Sequence, residues 1–179
     1  MRRALRIALA AAVAAGVLLL GVGVGRGTRW QVVVEADVDA PPAAVQAQLA
    51  DLHAVSAWLF DPTDPAFANA VTVEERPGGP PQRFSWDTPE TNGIFTLVSV
   101  EPNQGITYAM EMEDGAAHAD GSVRWTATAT GVHLVWTDAG DLGMWPIGGL
   151  LTPILEASLR DHFAAGLDRL AARATAAAP

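Results

Sequence analysis

Between residues 84 and 137 apolar side chains return at every second position, in short runs parted by tight turns. Phe84 and Trp86 flank Ser85, and Ile106, Tyr108, Met110 and Met112 alternate with Thr107, Ala109, Glu111 and Glu113. Val123, Trp125, Ala127 and Ala129 follow the same rule, as do Val132, Leu134 and Trp136, while residues 94–100 are apolar on both faces. A period of two belongs to half-buried strands. The links Glu101-Pro102-Asn103-Gln104-Gly105 and Thr130-Gly131 are short enough to favour antiparallel hairpins. Such a sheet has one apolar face that needs a cover. Leu155, Leu159, Phe163, Leu167 and Leu170, spaced by four, four, four and three, mark one side of a long helix that can supply it. Pro153 either starts this helix with Thr152 as its cap, or kinks a longer one beginning near Pro146.

Upstream, Trp30, Val32, Val34, Ala36 and Val38 form another alternating strand. Asp39-Ala40-Pro41-Pro42 then opens a helix, because proline suits a first turn whose N–H groups lack partners and Asp can cap them. Val45, Leu49 and Leu52 give that helix one apolar stripe of about three turns. The order is strand, short helix, a meander of about six strands and a long helix, an α+β arrangement over residues 29–172. Residues 173–179, rich in alanine, read as a disordered tail.

Residues 7–25 are 19 positions without a charged or polar side chain. As a helix they would rise about 28 Å, close to the roughly 30 Å of a bilayer core. A cleaved signal peptide has a shorter apolar region, about 7–15 residues, and no Ala-x-Ala site closes this one. Residues 1–28 therefore read as a transmembrane anchor, with a cleaved signal as the alternative. Arg2, Arg3 and Arg6 precede the run and Arg26 and Arg29 follow it, which favours a domain outside the cytoplasm. From Thr28 onward seven arginines face 20 acidic residues, a formal charge of −13. That repels phosphate backbones and anionic lipid alike, and nucleic acid is not an expected partner. The absence of cysteine excludes disulfides, thiolate nucleophiles and cysteine metal sites.

The stretch D-A-P-P-x-x-V-x-x-x-L-x-D-x-x-x-x-x-x-W, Asp39 to Trp58, resembles the opening of polyketide cyclase/dehydrase-type proteins of the START-like, birch-pollen-allergen-like superfamily (SRPBCC). Glu101-Pro102-Asn103, Ile106-Thr107-Tyr108, Leu134-Val135-Trp136, Gly140-Asp141-Leu142-Gly143 and Phe163-x-x-Gly166-Leu167-x-x-Leu170 extend the resemblance over about residues 29–172. There are departures: Gln46 and Val55 stand where aromatics are usual, and a Gly-x-Gly is reduced to Gly79 with Pro81. The resemblance implies a helix-grip fold, a curved antiparallel sheet of about seven strands around the long helix, with a deep apolar cavity between them. It also implies binding of lipids, polyketides, isoprenoids or other hydrophobic molecules, and catalysis in a minority of members. No cofactor is expected.

Under that implication the inward aromatics are candidate cavity walls: Trp58, Phe84, Trp86 and Phe95, then Tyr108, Trp125, Trp136 and Phe163. Met110 adds an adaptable wall, as do Met112 and Met144. Leu159 lies on the helix stripe, and His162 and Ser158 flank it as a polar rim. Asp138 shares the parity of Leu134 and Trp136 and points inward if the strand reaches it. His53, His118, His133 and His162 are scattered, with no metal-binding spacing, and no nucleophile elbow occurs. Non-catalytic binding of a hydrophobic small molecule or lipid is the leading expectation. A cyclase-, dehydratase- or hydrolase-like enzyme using Tyr108, Asp138 or His162 competes with it, as does an interaction domain with a collapsed cavity. Residues 142–155 carry no charge and form either the buried start of the last helix or a lid or bilayer-facing edge around Trp145.

Overall fold

A computed structural model of the chain describes residues 16, 21, 23–25, 27–76, 78–80, 82–143 and 147–177. Each run read as a strand forms one, and a further short strand, β2, joins them: β1 (Arg29–Val38), β2 (Val71–Glu74), β3 (Arg83–Asp87), β4 (Asn92–Glu101), β5 (Gly105–Met112), β6 (Ala117–Ala127) and β7 (Val132–Asp141). Three helices complete the domain: α1 (Pro42–Ala50), α2 (Leu52–Leu59) and α3 (Gly148–Ala176). The seven strands make one antiparallel sheet in the order β1-β7-β6-β5-β4-β3-β2, so the first strand closes against the last. Between Leu97 and Ser99 the pairing of β4 with β5 slips, and the extra residue, Val98, faces solvent. A bulge of this kind bends its strand and raises the local twist.

The single helix expected after Pro42 is broken in two. Asp51 takes an extended conformation, and its carboxylate accepts the His53 N–H at 2.9 Å, capping α2. The long helix is the longer of the two alternatives, with Pro153 inside it. Thr152 is not its cap; its hydroxyl donates back to the Gly148 carbonyl at 3.0 Å. Nor does the chain fray from residue 173: the helix runs to Ala176, held because Ala174 is fully buried against the core. Among the described residues no helix is long and apolar enough to cross a membrane. The anchor expected at residues 7–25 lies, apart from residues 16, 21 and 23–25, outside them, as do Met144 and Trp145.

Three aromatic rings stand directly on glycines of the neighbouring strand. Trp30 pairs with Gly140, Trp86 with Gly93 and Tyr108 with Gly121. A Cβ at those glycines would come within 2.7, 2.3 and 2.1 Å of the respective rings. Gly166 on α3 gives Trp136 the same close approach, at 2.9 Å.

Arg169 of α3 reaches the open end of α2, where Nε donates to the Trp58 carbonyl at 2.9 Å and Nη2 to the Leu59 carbonyl at 3.0 Å. These carbonyls have no partner within their own helix. Arg169→Ala is expected to lower stability by about 1–3 kcal/mol in urea unfolding, and Arg169→Lys to recover part of that. A loss below about 0.5 kcal/mol would show that the contact carries little.

Candidate functional site

The stripe of α3 is fully buried at Phe163, Leu167 and Leu170 but only half-buried at Leu155 and Leu159. At that half-buried end the packing of helix on sheet leaves a gap. A cavity of about 150 Å³ lies there, roofed by Leu155 and Leu159 and walled by Trp30 of β1, Met110 and Met112 of β5 and Leu142 beyond β7. Its rim is polar and solvent-exposed, with Glu113, His118 and Asp141. Asp138 also lines it, and this side chain is wholly buried.

Asp138 is held by a short buried chain. Trp136 Nε1 donates to the Tyr108 oxygen at 2.6 Å, and the Tyr108 hydroxyl donates to Asp138 Oδ2 at 3.0 Å. Burial pushes the Asp138 carboxyl up to about 7, against the opposing pull of the Tyr108 hydroxyl. The Ala139 amide also favours the ionised form, from outside hydrogen-bond geometry. Tyr108 is raised above its ordinary value by burial and by the Asp138 charge, and stays protonated. His162 is lowered by burial and then by Arg169, and lies beside Phe60 at 6.2 Å between centroids. Ser158 is exposed, so this pair does not frame the cavity.

The other sequence candidates gather in one packed interior. Phe84, Phe95 and Tyr108 stack in series at 4.8 and 4.6 Å. Trp136 stacks on Phe163 at 4.1 Å and lies near-perpendicular to Trp58 at 5.2 Å. Trp58 donates its indole N–H to the Gln48 carbonyl at 3.1 Å. Trp125 donates to the Gln46 side chain at 2.8 Å, which gives the departure at position 46 a polar task in place of an aromatic one. Trp86 packs on Phe60 at 5.1 Å and borders an open groove with Asn92 and Glu111. Of the candidates, Met110, Met112, Asp138 and Leu159 touch the cavity itself. Sequence reasoning did not mark Trp30 or His118 as lining residues, because their place depends on the pairing of Trp30 with Gly140 and of His118 with Asp141. Among the described residues no cluster of three or more His, Cys, Asp or Glu side chains could hold a metal ion.

A long helix thus lies across a seven-stranded antiparallel sheet, with a cavity beneath its N-terminal half. The sequence matches the family described as polyketide cyclase / dehydrase and lipid transport over residues 29–175. The chain belongs to that family. Solved structures similar to this polyketide cyclase/dehydrase-type chain include TTHA0849 from Thermus thermophilus, with 19% identity, a TM-score of 0.63, and 83% of this chain and 99% of that one covered. The ZhuI aromatase/cyclase from a Streptomyces species shows 21% identity and a TM-score of 0.59 over 84% of this chain and 99% of its own. Ara h 8.0201 shows 13% identity and a TM-score of 0.55 over 79% and 97%. At such identities the likeness is one of fold, and it is the helix-grip fold. No curated protein matches the chain.

Proposed function

We propose that this domain holds a small hydrophobic molecule between β1, β5, β7 and α3 without transforming it, and that residues 7–25 anchor it in a membrane with the domain on the extracytoplasmic side. The observation that carries the reading is the cavity of about 150 Å³ with apolar walls, in a family whose description includes lipid transport. Affinity would come from apolar burial, at about 25 cal/mol per Å² removed from water. The length of the apolar run and its flanking arginines support the anchor. A Cβ on Gly149 would fall 2.1 Å from the Gly23 carbonyl oxygen, so the end of that run meets the first turn of α3, close to the cavity roof.

A second reading, a cyclase-, dehydratase- or hydrolase-like enzyme, is favoured by the hydrogen-bonded Tyr108–Asp138 pair, a carboxyl with a raised pKa beside a phenol. The collapsed-cavity reading draws on the aromatic stacks, though a cavity remains beneath Leu155 and Leu159.

One preparation tests the leading reading. Full-length protein is expected to stay with carbonate-washed membranes and, after purification and native mass spectrometry, to carry a reproducible apolar molecule. Release by carbonate as a shortened chain would remove the anchor. A bare chain that takes up no apolar probe would remove the carrier.

A further inference from the structure

The chain from Trp136 to Tyr108 to Asp138 has a fixed direction. An indole N–H only donates, so the Tyr108 oxygen receives the Trp136 proton and the Tyr108 hydroxyl proton is directed at Asp138 Oδ2. The chain ends on Asp138 Oδ1, which is buried and has no hydrogen-bond partner among the described residues. Buried polar atoms are almost always satisfied, and an exception asks for a missing partner. Asp138 belongs to the cavity wall, and the polar groups that share that wall on the rim, Glu113, His118 and Asp141, are exposed to solvent.

We propose that the cavity selects a small neutral molecule with one hydroxyl on an apolar body, a phenol or a short alcohol, and that this hydroxyl pairs with Asp138 Oδ1. The inference rests on the ligand-binding reading above and names its ligand class. Size limits the body, since an apolar cavity of about 150 Å³ accommodates a single aromatic ring. Number limits the polar end, because one buried oxygen without a partner matches one hydroxyl, whereas an ammonium would bring three N–H groups into an otherwise apolar space. Charge excludes carboxylates, which would pass Glu113 and Asp141 to reach Asp138. A hydroxyl also suits both forms of the carboxyl, donating to the anion and accepting from the acid. Met110 and Met112, flexible and unbranched, stand in the same wall and can yield to the incoming group.

The test uses the full chain in detergent, titrated by ligand-detected NMR with phenol and with toluene, its near-isostere lacking the hydroxyl. Partition into detergent is common to all variants and cancels in the comparison. Asp138→Leu is expected to weaken phenol at least tenfold while toluene stays within about twofold. Asp138→Asn keeps the side-chain shape and an oxygen for Tyr108, so it serves if the leucine variant does not fold. Its amide takes the place of Oδ1 and can still donate to the phenol oxygen, so a smaller selective loss of phenol, about threefold, is expected from it. If phenol and toluene shift together, or neither shifts, the hydroxyl pairing is wrong and the apolar carrier stands. If the unaltered protein binds neither probe, both readings fall.

Discussion

Raising the pH from about 4 to about 7 is expected to lower the unfolding free energy of this protein by on the order of 4 kcal/mol through Asp138 alone. The folded chain raises that carboxyl from 3.8 to about 7, so between these values the native state holds a proton that the unfolded state has released. A group raised in this way contributes fully below its unfolded pKa, and the contribution is lost as pH rises through the folded pKa. About three pH units at about 1.4 kcal/mol each give the magnitude. His162 acts in the opposite sense, since its lowered pKa costs stability as pH falls below 6.5. The informative quantity is therefore the stability of the unaltered protein minus that of Asp138→Asn, followed by urea unfolding across this range. A difference that does not change with pH would mean that Asp138 is not the buried titrating group.

Trp136→Ala is expected to cost about 3–5 kcal/mol, seen as a fall in the urea midpoint at unchanged slope. Trp136 is fully buried, stacked on Phe163, near-perpendicular to Trp58 and seated over Gly166. It also supplies the proton that orients Tyr108. Trp136→Phe keeps most of the packing and removes the N–H, so a smaller loss of about 1–3 kcal/mol is expected from it. If the phenylalanine variant lost as much as the alanine one, the hydrogen-bond chain would outweigh the packing. A loss below about 1 kcal/mol for alanine would remove Trp136 from the centre of the core.

The strands and the long helix could be read from the sequence because their periods are local. Ile106 to Met112 keep a period of two, and Leu155 to Leu170 keep a helical one, whatever packs against them. The break at Asp51 was hidden, since Val45, Leu49 and Leu52 hold one stripe on both sides of it. β2 has only four residues on a sheet edge, half of them exposed, and leaves almost no pattern. For the site, parity alone turned Tyr108 and Asp138 inward. It could not say that they meet, because residues 30 apart touch only once β5, β6 and β7 are in register. Nor could it distinguish rings that fill space from side chains that border it. Phe84 and Phe95 share a face with Met110 through strand register, and Trp136 shares the parity of Asp138; only the relation of α3 to the sheet decides which of them meets a gap.

The rings standing on glycines have a consequence for how this interior could change. Trp30 and Trp86 would act as removable plugs, each seated on bare backbone whose strand pairing does not depend on the ring, whereas Tyr108 is also tied to Trp136 and Asp138. Shortening one of them empties a volume bounded by hydrogen-bonded strands, which resist collapse more than neighbouring side chains do. Ligand size in such a fold is then adjustable one residue at a time, without redrawing the sheet, and Trp30, already in the cavity wall, is the first plug to pull.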